Sequence, residues 1–439
     1  MIKKKIHSIK LLLIFILFVA CSNEFITSVS TSGEVDLIKT LGGSKNDGAR
    51  SVINTSDGGY AVLGFTQSID GDITDKQTEQ FDYWLLKFNA NNELQWQKTY
   101  GGSKDDRGEK VIQTSDNGYV LIGYSKSDDE DVTENAGFQD IWVLKLDGNG
   151  NISWQKSIGF SGADQGLTVI QTSDGGFFIG GILDVTASGG LGNNKRHAGG
   201  DYWGLKLDIN GVTEWRRFFG GTNTDTCYDV IETNDGFLLI GSSDSIDVDI
   251  NNNKGGYDYW IVKIDKTGTL IWEKSLGGNE IDISYSIQKT HDGNFILAGE
   301  TRSSDQDISN QNGAADVWVI KMDPEGNIIW EKTYGGTSFD VARSITSTKD
   351  NGFVIIGSSR SSDIDVTENN GQNDAWILKI NSAGKLLWQK SVGGTDIDFA
   401  YGVTELQDQS IIAVGDTNSS DIDITENKGF TDLLIIRIK

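Results

Sequence analysis

Short runs in which apolar and polar residues alternate recur along the chain in groups of four. In one group the runs are EKVIQT (109–114), YVLIGY (119–124), DIWVLKL (140–146) and ISWQKSI (152–158). SDNG joins the first two runs and DGNG the last two, and both supply Asn or Gly for the positive φ angles of tight hairpins. A longer polar loop separates the two hairpins. The pattern predicts a meander of four antiparallel β-strands.

The tryptophans show that this unit repeats about every 58 residues. They fall into two columns that run twelve residues apart, and Leu434 takes the first-column place in a seventh copy. The first column is Trp84, Trp142, Trp203, Trp260, Trp318 and Trp376, and the second is Trp96, Trp154, Trp215, Trp272, Trp330 and Trp388. A large aromatic residue at a fixed position in each copy indicates a repeated packing pocket rather than a ligand-stacking site.

Seven copies of a four-stranded unit predict an all-β fold, a seven-bladed β-propeller of four-stranded antiparallel blades over residues 34–439. The last copy ends at DLLIIRIK (432–439) and lacks its fourth strand. VDLIKTLGG (35–43) aligns with the missing segment and places Leu37 in the second tryptophan column. We expect the N-terminal strand to complete the last blade, because closing the ring removes exposed sheet edges.

The first twenty residues have the pattern of a secretory signal. The basic segment MIKKKIHSIK precedes the apolar segment LLLIFILFVA and Cys21. The FVAC boundary resembles the lipobox of bacterial lipoproteins, in which the cysteine becomes the lipidated first residue. The resemblance implies a signal peptide over 1–20, lipid attachment at Cys21, a linker over 21–33 and an outer-membrane location that faces the periplasm or the medium. Secretion without a lipid is the alternative.

The repeat also carries the motifs GGxxxD, TxDGG, SxDxD, DxWxxK and GxIxWxK. These motifs resemble the tandem propeller-like repeats of Bacteroidota lipoproteins and secreted proteins, and the resemblance covers residues 34–439. It implies the architecture. It implies no activity, because such proteins are mostly uncharacterised and one fold hosts many functions.

The charge of the chain argues against a nucleic-acid partner. There are 38 Lys and Arg against 63 Asp and Glu, a formal charge of −25. Without residues 1–20 there are 34 basic residues against the same 63 acidic ones, and the charge is −29. Such a chain repels phosphates and favours cations or basic partners. The other cysteine, Cys227, is expected to be a small buried residue.

Strand parity places two series of aspartates on one face of the propeller. The second and interblade connections leave from the same face, so the GGxxxD and SxDxD segments share it. The GGxxxD series is Asp47, Asp106, Asp164, Asp225, Asp282, Asp340 and Asp398. The series at the start of each third strand is Asp82, Asp140, Asp201, Asp258, Asp316, Asp374 and Asp432.

The long loop between the second and third strands predicts a calcium site. In five copies it has the form D-x-D-[IV]-[TSN]-x-[NQ]-x-G-x-x-D. Ca²⁺ takes oxygen ligands from flexible loops of this kind. The candidate ligands are Asp129, Asp131, Asp140, Asp247, Asp249, Asp258, Asp305, Asp307, Asp316, Asp363, Asp365, Asp374, Asp421, Asp423 and Asp432. The alternative is that these side chains bind backbone amides and stiffen the loop without metal.

The third copy departs from the others. Its loop is longer, lacks the DxD pair and carries Lys195, Arg196 and His197, and Arg216 and Arg217 follow its second tryptophan. The three loop residues are the candidate ligand-binding residues, because basic side chains bind carboxylates, sulfated or uronic glycans, or acidic partners. Sequence drift in a tolerant loop is the alternative.

No catalytic constellation is identifiable in the sequence. Only His197 and His291 follow the signal segment, and His291 lies in a hairpin turn. We therefore predict a non-catalytic binding or scaffold propeller for glycans or envelope proteins, attached to the membrane by lipid. The alternative is a glycosidase or lyase with an acidic pocket in the central channel, since paired carboxylates perform that chemistry.

Overall fold

The computed structural model describes residues 33–184, 197 and 199–439, which form 28 strands in seven antiparallel sheets. The predicted signal peptide, Cys21, most of the linker, Lys195 and Arg196 lie outside these residues. In the described part of the chain, no helix has the length and apolar character needed to cross a membrane.

Each sheet is one blade of a propeller, and its strands follow one another from the centre outward. Blades 1 to 3 contain β2 (Asp47–Asn54), β3 (Tyr60–Thr66), β4 (Asp82–Phe88), β5 (Leu94–Tyr100), β6 (Asp106–Gln113), β7 (Tyr119–Ser125), β8 (Asp140–Leu146), β9 (Ile152–Ile158), β10 (Gln165–Gln171), β11 (Phe177–Asp184), β12 (Gly200–Leu207) and β13 (Thr213–Phe219). Blades 4 to 6 contain β14 (Asp225–Thr233), β15 (Gly236–Ser243), β16 (Asp258–Asp265), β17 (Leu270–Leu276), β18 (Asp282–Lys289), β19 (Phe295–Thr301), β20 (Asp316–Met322), β21 (Ile328–Tyr334), β22 (Asp340–Ser347), β23 (Phe353–Ser359), β24 (Asp374–Ile380) and β25 (Leu386–Val392). Blade 7 contains β26 (Asp398–Glu405), β27 (Ile411–Thr417), β28 (Asp432–Ile438) and β1 (Val35–Leu41).

The N-terminal strand completes blade 7, as the sequence predicts. β1 pairs antiparallel with β28, from Val35 opposite Ile438 to Leu41 opposite Leu433. Just outside this ladder, the backbones of Glu34 and Lys439 exchange two hydrogen bonds. The two ends of the propeller are therefore joined in one sheet, which closes the ring.

The two tryptophan columns pack in different ways. First-column side chains are fully buried, and that of Trp376 donates its indole N–H to Gln389 at 2.8 Å. Second-column side chains are half-buried and cover the neighbouring blade, as Trp330 does at Gly384. Both columns thus contribute to the core, the first within a blade and the second between blades, where aromatic burial is a large stabilising term.

The innermost strands begin earlier than the sequence pattern predicts. In blade 2 the alternating run starts at residue 109, but β6 begins at Asp106. A β-bulge between Gly108 and Lys110 leaves Glu109 outside the ladder, which interrupts the alternation. The innermost strand of each blade has a bulge at the same place. A bulge of this kind redirects one side chain, and here that side chain faces the central channel.

Candidate functional site

The two faces of the propeller differ in the aspartates that they carry. One face carries the GGxxxD and SxDxD segments, which bond to each other as strand parity predicts. We call it the junction face, because these segments lie where one blade meets the next. The opposite face carries the first and third hairpins of each blade, and we call it the hairpin face.

On the junction face, the DxD pair holds the glycine loop that opens its own blade. In blade 7, Asp421 accepts the Thr395 N–H at 2.9 Å and Asp423 accepts the Gly393 N–H at 3.3 Å. The DxD pairs of blades 2, 4, 5 and 6 make the same bonds. No group of three acidic, His or Cys side chains in the described residues has the arrangement to hold a metal ion. The DxD pairs thus have a role as loop caps, and calcium stays a prediction.

Each junction also brings two buried carboxylates together. Between blades 6 and 7, a Cβ on Gly393 would lie 2.6 Å from Asp398 Oδ2 and 2.8 Å from Asp374 Oδ1. Asp398 accepts bonds from Gly394 N–H and Ser419 Oγ, both at 2.8 Å. Asp374 Oδ2 accepts the Asn370 N–H at 2.8 Å, whereas its Oδ1 is buried without a hydrogen-bond partner. The first glycine of the GG motif therefore leaves the space that the third-strand carboxylate occupies.

This arrangement disfavours ionisation of the third-strand aspartates. Burial, and then the neighbouring Asp398 and Asp423 carboxylates, raise the pKa of Asp374 to about 6. Burial likewise raises the pKa of Asp258 to about 7, with Asp282 as a neighbouring charge. A carboxyl that is buried beside a like charge is more stable when protonated.

Four junctions contain a cationic side chain that compensates this charge. Lys76 Nζ lies 2.7 Å from Asp82, Lys428 Nζ lies 2.7 Å from Asp72, and Lys254 pairs with Asp307. In the junction of blades 3 and 4 the corresponding basic residue is His197, whose Nδ1 lies 2.6 Å from Asp201 Oδ2.

His197 thus occupies the place in its blade that Lys254 and Lys428 occupy in theirs, four residues before the third-strand aspartate. Its side chain is 7% exposed, and its hydrogen bond with Asp201 raises its pKa. The structure gives this predicted ligand residue an internal partner. The proposed ligand-binding role of Lys195 and Arg196 stays a prediction.

The other unusual pair of blade 3, Arg216 and Arg217, is exposed on β13. Arg216 follows Trp215 at the position where other blades have Gln or Glu to accept the first-column indole N–H. Accordingly, Trp203 Nε1 is buried without a hydrogen-bond partner among the described residues. The substitution removes an internal acceptor and brings no described ligand-binding contact with it.

On the hairpin face, each TxDG-type turn places its aspartate beside a buried basic side chain of the third strand. Lys87 and Asp57 lie 2.9 Å apart, and Lys145 and Asp116 also lie 2.9 Å apart. The equivalent pairs are Lys206–Asp174, Lys263–Asp235, Lys321–Asp292, Lys379–Asp350 and Arg437–Asp408. Burial opposes ionisation of Asp57, but bonds from Thr55 and Lys87 lower its pKa to about 2.

The central channel is lined by a set of side chains that vary between blades. Each is the bulged residue of an innermost strand, three positions after the GGxxxD aspartate, and together we call them the bulge ring. The bulge ring is Arg50, Glu109, Leu167, Tyr228, Tyr285, Arg343 and Tyr401. Two nearby positions keep their residue type in every blade. The preceding position is always small, as at Ala49 and Cys227, and the position two residues later is always Val or Ile.

Neighbouring members of the bulge ring stack on one another. The Arg50 guanidinium lies 4.0 Å from the centroid of the Tyr401 ring, and that of Arg343 lies 4.1 Å from the centroid of Tyr285. Tyr228 contacts Tyr285 with ring centroids 4.9 Å apart. Blades 5, 6, 7 and 1 therefore present Tyr, Arg, Tyr and Arg in succession, an arrangement that cation–π attraction stabilises.

A cavity of about 480 Å³ extends from the bulge ring to the hairpin-face ends of the innermost strands. Its charged lining residues are Arg50, Lys110 and Arg343 against a single carboxylate, Glu109. The lining of this cavity therefore lacks the acidic character that the alternative of a glycosidase or lyase predicts. That expectation failed because the GGxxxD aspartates, which made the repeat look acidic near the channel, are buried at the blade junctions.

Comparison with known proteins identifies relatives of low similarity. No protein-family model matches the chain. It is 22% identical over 402 residues to the regulatory protein FlaEY of Caulobacter vibrioides, covering 82% of this chain and 41% of that protein. It is 21% identical over 204 residues to an uncharacterised WD repeat-containing protein, L264, of Acanthamoeba polyphaga mimivirus, covering 38% of this chain and 15% of that one. The chain thus spans less than half the length of either relative.

Solved structures match over nearly the whole chain at low identity. The WD40 β-propeller domain of Doa1 has a TM-score of 0.51 at 12% identity, covering 93% of this chain and 97% of that one. A chain of the mitotic checkpoint complex has a TM-score of 0.52 at 8% identity, covering 97% and 98%. Such likeness shows the fold alone. The protein is an all-β, seven-bladed, WD40-like propeller with four-stranded antiparallel blades.

Proposed function

We propose that this protein is a non-catalytic binding module whose binding site is the bulge ring of the central channel. The observation that carries the proposal is the contrast between scaffold and ring. In all seven innermost strands a small residue precedes the bulge and Val or Ile follows two positions after it, whereas the redirected residue is Arg, Glu, Leu or Tyr. The bulge thus recurs in every blade while its side chain varies. This is the arrangement expected of a single site on a symmetric fold.

The lining supports binding rather than catalysis. A glycosidase places two carboxyl groups on either side of the bond it breaks. The cavity lining contributes only Glu109 of that kind, together with aromatic, guanidinium, hydroxyl and amide groups. Tyrosine and arginine are the residues that most often dominate binding sites.

The proposal also includes a class of partner and a cellular location. A glycan or an envelope protein is the expected class of partner, and the FVAC boundary supports attachment to the outer membrane through lipid on Cys21. The anchor is tested by membrane fractionation of the full chain and of Cys21→Ser. The proposal expects the wild-type protein in the outer-membrane fraction and the variant released from it.

The binding site is tested by replacing ring tyrosines in the protein without residues 1–21. Three proteins are compared: the wild type, the triple variant Tyr228→Ala, Tyr285→Ala and Tyr401→Ala, and a control in which the exposed residues Ile271 and Ile329 are changed to alanine. Material from solubilised cells is passed over each immobilised protein, and retained proteins and glycans are quantified. The ring variant should lose a component that the control retains, with circular dichroism confirming that both fold. Equal retention by all three proteins would reject the bulge ring as the site.

A further inference from the structure

We infer that the bulge ring binds a small carboxylate-bearing ligand of the acidic-sugar class through Arg343. This inference rests on the proposed function and names the chemistry of its ligand.

The first step is the charge state of the two ring arginines. Arg50 is already compensated, because its Nη1 lies 3.3 Å from Asp416 Oδ2. No carboxylate of the described residues lies within 4.0 Å of the Arg343 guanidinium nitrogens. Glu300 acts on Arg343 only over a longer range, and it already pairs with Arg302 at 3.4 Å. Arg343 is therefore the cation of the channel that has no ion-pair partner.

The second step is the position of Arg343. It lines the cavity and is half-buried, and its guanidinium carbon lies 4.1 Å from the centroid of the Tyr285 ring. A guanidinium carries five N–H donors in a planar fork, and two of them match the two oxygen atoms of a carboxylate. The low dielectric of a partly enclosed site strengthens such a pair relative to one in open water.

The third step concerns the rest of the ligand. Below the ring the cavity is lined by Ser286, Gln288, Thr346 and Thr404, whose hydroxyl and amide groups can bind ligand hydroxyls. The volume of about 480 Å³ suits a ligand of one or two sugar rings. The net charge of −25 disfavours a polyanion, so one carboxylate on a hydroxylated body fits the site better than a charged polymer.

The fourth step is the apolar gap in the ring. Leu167, from blade 3, is the one aliphatic member of the bulge ring, and it lies on the far side of the channel from the blade that carries Arg343. Its side chain adds no charge to the wall opposite the guanidinium, to which the neighbouring blade 2 contributes Glu109 and Lys110. A larger side chain there would narrow the cavity while leaving Arg343 in place.

The test uses isothermal titration and saturation-transfer NMR on the folded propeller, with D-glucuronate and D-galacturonate as probes. Glucose and galactose are the neutral controls, and an acetylated dipeptide with a free C-terminal carboxylate tests the other source of that group. We expect saturable binding of at least one uronate and no binding of the neutral sugars. Arg343→Gln should weaken uronate binding at least about tenfold, because a charge-assisted bidentate contact is lost.

Two further variants separate the ligand contact from folding. Arg217→Gln removes an exposed arginine of blade 3 and should leave binding unchanged. Leu167→Trp should abolish uronate binding although Arg343 is intact, with unfolding curves confirming a folded protein. Equal uronate binding by wild type and Arg343→Gln would overturn the inference.

Preference for the dipeptide over both uronates would also overturn the inference. So would the absence of saturable uronate binding to wild type. In either case, loss of a retained partner in the tyrosine triple variant would still support the bulge ring as the binding site, so the two proposals can fail separately.

Discussion

The junction face and the hairpin face each carry a series of aspartates that recurs in every blade, yet the third-strand aspartates of the junction face and the turn aspartates of the hairpin face have opposite electrostatics. Hairpin aspartates such as Asp57 are exposed and lie beside a lysine, so their pKa falls to about 2. Junction aspartates such as Asp374 are buried beside a second carboxylate, so their pKa rises to about 6. The same residue type in similar turns therefore stabilises the fold as an anion on one face and as a neutral acid on the other.

The pH dependence of stability tests this contrast most strongly. A raised folded-state pKa means that the native protein binds more protons than the unfolded chain, so stability falls as pH rises from about 4 through about 7. The hairpin aspartates act in reverse, and their contribution is lost as pH falls from about 4 towards 2. We expect the unfolding free energy to be highest near pH 4 and to drop by about 4 kcal/mol or more by pH 8.

Urea unfolding at constant ionic strength across pH 3 to 9 measures this profile. Substituting Asp374→Asn and Asp432→Asn together should flatten its alkaline side, because two carboxyls with a pKa of about 6 no longer ionise. A profile that rises steadily from pH 5 to 8 would contradict the assignment of the junction pairs.

Glycine substitutions should sharpen the comparison of the two faces. Gly393→Ala places a methyl group 2.6 Å from Asp398 Oδ2 and 2.8 Å from Asp374 Oδ1, so we expect a loss of about 3 kcal/mol from overpacking. The control is Gly293→Ala on the hairpin face, where no atom lies within 4 Å. Its φ of +82° makes alanine unfavourable by about 1 kcal/mol. Thermal unfolding compares the two, and equal losses would show that the junction can expand.

Removing one carboxylate should change the unfolding free energy by less than the glycine substitutions do, and with opposite sign on the two faces. Asp292→Asn takes the charged partner from Lys321, whose side chain is 9% exposed, and should cost about 1 kcal/mol after allowance for the exposure of Asp292. Asp374→Asn keeps an acceptor for the Asn370 amide and removes a like-charge contact, so it should be neutral or stabilising at pH 8. Denaturation at pH 8 measures both, and destabilisation by Asp374→Asn would count against the junction assignment.

Adding calcium should change the stability of the protein least. Both carboxylates of each DxD pair already accept backbone amide bonds, as Asp363 and Asp365 do in blade 6. We therefore expect 5 mM Ca²⁺, used at roughly a thousandfold the affinity range of sensor sites, to shift the unfolding temperature of EDTA-treated protein by less than about 1 °C. Saturable heats at several sites per chain would restore calcium as the organiser of these loops, and Asp365→Asn should then remove one site.

Much of the architecture could be predicted because it follows from local sequence patterns. The tryptophan spacing gave the blade count, turn sequences gave the hairpins, and Leu37 in the tryptophan column located the closing strand. The aspartates of GGxxxD and SxDxD were placed on the correct face by strand parity alone. Their roles were harder to assign, because an alternating series of oxygen-bearing side chains suits either a cation or a set of backbone amides.

The bulge ring was missed for a physical reason. A bulge breaks the two-residue alternation, so the sequence pattern begins only after it, at residue 109 in blade 2. A signal for the ring was nevertheless present. When the seven copies are aligned, the position three residues after the GGxxxD aspartate varies between Arg, Glu, Leu and Tyr, while the residue before it stays small and the residue two positions after it stays Val or Ile.

The sequence by itself determined the number of blades, the closure of the ring and the face on which each loop lies, because these follow from periodicity and chain connectivity. Only the tertiary structure decided which carboxylates are buried in pairs, which meet a lysine, and which side chains converge in the channel. Those properties depend on contacts between residues that are far apart in the chain, 53 positions for junction contacts between blades and 30 positions for a hairpin-face pair within one blade. Burial and charge in this protein are properties of the assembled strands and blades rather than of the local sequence.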